Sequence, residues 1–198
     1  MLSSISPVGE ASRQQRWSVT VAAYVVGSAS AGAMTGALLG LLGSTGWTLA
    51  GRLPSATAQL VGIGSLATIG LVLDATSGVP SIHRQVDDRW LTTYRGWVYG
   101  IGFGAQLGTG VATIVPASIV WVTWATAALS GSVRTGGLIG LVFGVARALP
   151  LVAAGRIRTV AALRRTLAGV DAARERASLV TRLGQMGVAL AAFVVVVR

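Results

Sequence analysis

The chain has no cysteine, which excludes disulfides, thiol redox chemistry and cysteine-based metal sites. A single histidine, His83, and six carboxylates leave little from which to build a metal centre or a nucleophile–base pair. No metal, no cofactor and no enzymatic activity are therefore expected. Lysine is absent too, so all sixteen basic residues are arginines. Charge of either sign is scarce, at 11% of residues against about 25% in soluble domains. So few charges cannot cover a surface facing water.

What the chain has in their place is apolar length. Hydrophobic residues make up 53% of its 198 positions and the mean hydropathy is +0.69. Apolar runs recur at the roughly 20 residues that an α-helix needs to cross hydrocarbon. The formal net charge of +10 would suit nucleic acid, but the arginines lie between the apolar runs rather than on one soluble face. Nucleic-acid binding is not expected.

These patterns predict an all-α, polytopic helix bundle. Residues 1–16 read as a polar, frayed tail, and 17–198 as a single transmembrane domain. Its spans fall at about 18–43, 56–76, 97–129, 135–154 and 179–197. The apolar stretch after Arg13 and Arg16 is too long for a signal-peptide core and reads as a retained first span. The third span is overlong, at 33 residues or about 50 Å of straight helix, and Pro116 is where it would kink. Between the last two spans, Val160, Leu163, Leu167 and Val170 form one stripe of an arginine-rich segment, 156–177. That pattern fits an amphipathic helix on anionic lipid headgroups, or equally a solvated connector.

With five crossings, successive exposed segments carry 2, 1, 3, 1, 7 and 1 arginines. The alternation puts the N-terminus in the cytoplasm and the C-terminus outside a plasma (cell inner) membrane, by the positive-inside rule. Six crossings, with 97–129 split in two, are the alternative. In the polar loop 78–96, Trp90, Tyr94 and Trp97 suit an aromatic belt, and a capping role accounts for Asp87 and Asp88 better than a metal site with His83.

Three spans repeat a small residue every fourth position: Gly32, Gly36 and Gly40; Gly100, Gly104 and Gly108; Gly136, Gly140 and Gly144. In lipid no hydrophobic force draws helices together, so close backbone approach through such faces is what holds them. These nine glycines are expected to pack helices, within the chain or against a second copy or a partner membrane protein. The ionisable residues at membrane depth are Asp74 and Arg147, both toward the cytoplasmic leaflet, where they would either pair, or Arg147 would snorkel to the interface and Asp74 cap a helix end. Gln106, Thr109 and Thr113 share one face of the third span and, with backbone freed at Pro116, would line a solute path or bond neighbouring helices.

Residues 97–154 carry a resemblance. GIGFGAQLGTGVATIV (100–115), the turn Ser130-Gly131-Ser132 and Ala148-Leu149-Pro150 resemble the second half of the CcdA/DsbD transmembrane family, in the LysE-type transporter group. The resemblance implies a glycine-rich helix broken near a proline, then a turn and a helix ending near a proline. It covers under a third of the chain, and the paired membrane cysteines that carry electrons in that family are missing. Thiol electron transport is thus excluded. Two functions remain: a small transporter or exporter of a solute or ion, or a non-catalytic membrane subunit that binds a partner through its glycine seams.

Overall fold

The computed structural model describes residues 5–51, 55–76, 90–110, 118–157 and 159–197. All regular structure among them is helical: α1 (Pro7–Ser12), α2 (Trp17–Leu49), α3 (Ala56–Thr76), α4 (Trp90–Thr93), α5 (Gly96–Thr109), α6 (Ile119–Leu129), α7 (Val133–Ala153) and α8 (Val160–Val197). A short 3₁₀ turn, Ala154–Arg156, follows α7. Segments Trp17–Leu49, Ala56–Thr76, Val133–Arg156 and Arg176–Val196 are long and apolar enough to cross a membrane, and Ile119–Leu129 is a shorter apolar helix.

The outside of this bundle is oily. Leu38 and Leu42 on α2, Val142 on α7 and Phe193 on α8 are 60%, 64%, 67% and 67% exposed. Buried positions, by contrast, include Ser28, Thr20, Ser118 and Gln185. Water would penalise that arrangement, whereas hydrocarbon accepts apolar side chains outside and requires polar groups to find partners inside. This is an integral membrane protein.

Helix α2 is the central post. A methyl added to Gly32, Gly36 or Gly40 would land on the main-chain carbonyl oxygen of Gly140, Gly136 or Ser132, so α7 runs antiparallel to α2 at backbone contact. On another side, methyls at Gly100, Gly104 and Gly108 would strike main-chain oxygens of Thr20, Tyr24 and Ser28, so α5 runs parallel to α2. The two seams meet at Ser28, whose hydroxyl donates to the Gly144 carbonyl at 2.7 Å. Helix α3 lies antiparallel to both α6 and α8, with Gly62 against Leu129, Gly70 against Ser118 and Gly64 against Ala192.

Two expectations need correction. The tail is not frayed from residue 5 onward: α1 folds against α2 and α5, with Ile5 and Glu10 both 0% exposed. Its carboxylate explains why, since Glu10 accepts from Arg13 Nη2 at 2.7 Å, Thr20 Oγ1 at 2.7 Å and Tyr99 Oη at 2.6 Å. Burial works to lower the Arg13 pKa, yet the hydrogen bond to Glu10 together with the interactions with Tyr99 and the Glu10 charge outweigh it and hold the guanidinium above its ordinary value. Second, segment 156–177 is not a separate surface helix. From Val160 it is continuous with the last span in one 38-residue helix, because no proline interrupts it. Within the overlong stretch 97–129 the described residues form α5 and α6; Thr113 and Pro116, the expected site of the kink, lie outside the described residues, as do His83, Asp87 and Asp88.

Candidate functional site

Helix α5 ends at Gly110, whose φ of +71° is a left-handed conformation that glycine adopts without penalty. Helix α6 begins after Ser118, with its start packed against α3 and α8. A helix start exposes main-chain N–H groups and the positive end of the peptide dipoles, which inside a membrane must find an acceptor.

Asp74, from α3, is that acceptor. Its Oδ1 accepts from the Ser118 N–H at 2.9 Å and its Oδ2 from the Ser118 hydroxyl at 2.8 Å. Gln185 of α8, fully buried, closes the cluster with its amide 2.7 Å from Ser118 Oγ. Turned so that both ends are satisfied, that amide donates to Asp74 Oδ2 at 3.3 Å and accepts from the Ile119 N–H at 3.2 Å. Arg182, one turn earlier on α8 and exposed, donates to the Asp74 main-chain carbonyl at 2.8 Å. Three helices thus converge on one carboxylate at the start of a short helix. Chemically, the cluster can hold a cation or a hydrogen-bond donor, and changing its contents would alter the capping of α6.

The other candidates fall elsewhere. Arg147 lies with its guanidinium carbon 5.6 Å from the Phe143 ring centroid, a cation–π arrangement on α7. Asp74 and Arg147 therefore find different partners: of the two alternatives the sequence left open for Asp74, it caps a helix, α6. Gln106 and Thr109 are half-buried on α5, and the Thr109 hydroxyl is turned back onto the Gln106 carbonyl at 2.8 Å. Ser118 and Gln185 were not among the sequence candidates. Their only signals are a serine two positions after Pro116 and a lone glutamine within an apolar span.

A membrane helix bundle with a polar cluster at a helix start is the class these observations define. In sequence, the chain is 30% identical over 157 residues to methylamine utilization protein MauF of Paracoccus versutus, an alignment covering 76% of this chain and 55% of that protein. It is 30% identical over 156 residues to MauF of Methylophilus methylotrophus, covering 76% of this chain and 53% of that one. The chain spans about half the length of the curated relatives it matches. No protein-family model matches it. No solved structure matches it either.

Proposed function

We propose that this protein is a small, non-enzymatic membrane transporter whose solute path passes the Asp74–Ser118–Gln185 cluster. The observation that carries the reading is the junction itself: a carboxylate from one helix holds the start of a second, with an amide from a third. Ionisable groups at membrane depth are costly and mark ion and solute paths, and interrupted helices supply such sites in transporters. In this reading α5 and α6 together make the third of five crossings, and the arginine counts set the N-terminus in the cytoplasm. A shared ancestry of residues 97–154 with the CcdA/DsbD family, in a form without thiol chemistry, fits the same arrangement.

The relatives are named for methylamine utilization, and methylamine is a cation at neutral pH. A carboxylate is the group that would meet such a cation, so we extend the reading to small ammonium ions. The test is flux into proteoliposomes of purified protein, comparing methylammonium with a neutral solute such as glycerol. Faster methylammonium entry than in protein-free liposomes, lost in Asp74→Asn, supports the proposal. Flux equal to protein-free liposomes from folded protein sinks it.

The alternative, a non-catalytic subunit, has its own observation. Helix α8 docks chiefly on α3, and Leu179, Val180 and Leu190 remain 58%, 67% and 59% exposed. Co-purification of one stoichiometric membrane partner, lost on shortening α8, would favour it.

A further inference from the structure

Beside the cluster runs a groove of about 410 Å³ between α3 and α6, open toward the lipid-facing surface. Its walls are Leu66, Ile69 and Leu73 from α3 and Trp121, Val122 and Ala125 from α6. Its one side-chain hydroxyl is that of Ser118, and that hydroxyl is hydrogen-bonded to the Asp74 carboxylate. An apolar slot is therefore joined at one point to an anion. The volume lies within the roughly 300–1,000 Å³ of small-molecule sites, which are mostly apolar with a few placed polar groups.

Resting on the transport reading, we propose that this groove binds an amphiphilic cation, a primary alkylammonium whose chain lies along α3 and α6 and whose head reaches Asp74. The charge arrangement selects the class. Asp74 forms no ion pair among the described residues, and the nearby Arg182 donates to its main-chain carbonyl while remaining exposed. An ammonium group carries the donors that the two carboxylate oxygens accept. An anionic head would meet that carboxylate as a like charge. A sugar or other fully polar solute would leave its hydroxyls unpaired against Leu66, Ile69 and Val122. The site also distinguishes among amines, because methylammonium fills the polar end and leaves the groove vacant.

The experiment is titration of the whole protein in nanodiscs with methyl-, butyl- and hexylammonium and with neutral hexanol, after subtracting empty nanodiscs. Affinity is expected to rise about two- to fourfold per added methylene, as apolar burial requires. Hexanol is expected to bind roughly tenfold more weakly than hexylammonium, having lost the charged hydrogen bond. Ala125→Phe, which fills the groove without touching Asp74, should flatten the chain-length series, while Val142→Phe, in a separate groove between α6 and α7, should not. Equal binding of hexanol and hexylammonium overturns the proposal in favour of an acyl-chain slot of the bilayer. A flat series in the unaltered protein overturns it as well. Ammonium flux without this selectivity removes the groove and leaves the transport reading standing, whereas the selectivity without flux removes transport and leaves the site.

Discussion

Replacing Gly36 by alanine adds one methyl group in the middle of the α2–α7 seam. That methyl would overlap the Gly136 carbonyl oxygen and lie 2.9 Å from its carbon and 3.0 Å from the Gly140 nitrogen. All three are main-chain atoms, so no side chain can rotate away. The two helices must part, by on the order of 1 Å, and a gap of that size forfeits a quarter to a half of the contact energy of each facing atom pair. The loss spreads along the seam to Gly32, Gly40 and the Ser28–Gly144 hydrogen bond. Overpacking of this kind costs about 1–3 kcal/mol, which for a chain of this length lowers the melting temperature by roughly 3–10 °C. Two controls isolate the cause. A methyl at Gly46 meets nothing within 4 Å, and one at Gly137 meets only Ala37 Cβ at 3.6 Å and the Ala33 carbonyl at 3.7 Å. Gly46→Ala and Gly137→Ala should melt at or slightly above the parent, because alanine favours helix by up to about 1 kcal/mol. The assay is thermal unfolding of the three variants in one detergent, followed by tryptophan fluorescence. If Gly36→Ala melts together with Gly46→Ala, α2 and α7 do not meet as described.

Glu10→Gln should destabilise by about 1–3 kcal/mol and expose residues 5–16 to limited proteolysis, because Arg13, Thr20 and Tyr99 lose a charged acceptor. An unchanged digestion pattern would mean that α1 is not anchored by this carboxylate. Gln185→Leu removes the buried amide beside Ser118 and should cost about 1–3 kcal/mol in thermal melts, whereas Gln106→Leu, on half-buried α5 surface, should cost little. Gly110→Ala forces a side chain into left-handed backbone and against the Phe143 ring at 2.9 Å, a cost of about 1–2 kcal/mol in the same melts.

The helices of this fold were legible because span length and the four-residue glycine repeat are written directly into the chain. Gly32, Gly36 and Gly40 announce a close approach whatever lies opposite. They do not announce that α5 runs parallel to α2 while α7 runs antiparallel, since a small-residue face has no direction. Glu10 was illegible for a different reason. A single acid in a polar stretch reads as solvated until Thr20 and Tyr99, 10 and 89 residues away, supply its donors. Asp74 stood out as a charge at membrane depth, but its partners are uncharged and lie 44 and 111 positions along the chain, at Ser118 and Gln185. The join of segment 160–177 to the last span went unseen because a change from arginine-rich to apolar residues alters solvent, not backbone.

The central claim is that a polar cluster sits inside a lipid-facing apolar shell, and single-cysteine accessibility tests it most directly. The cysteine-free chain supplies the background without further change. In sealed proteoliposomes treated with a membrane-impermeant thiol reagent, cysteine at the partly exposed Asp74 position should react. Cysteine at Leu38 or Val142 should stay silent until detergent is added, although both positions are far more exposed in the isolated fold, at 60% and 67%. Ready labelling of Leu38 and Val142 in intact vesicles, with the Asp74 position silent, would contradict the account.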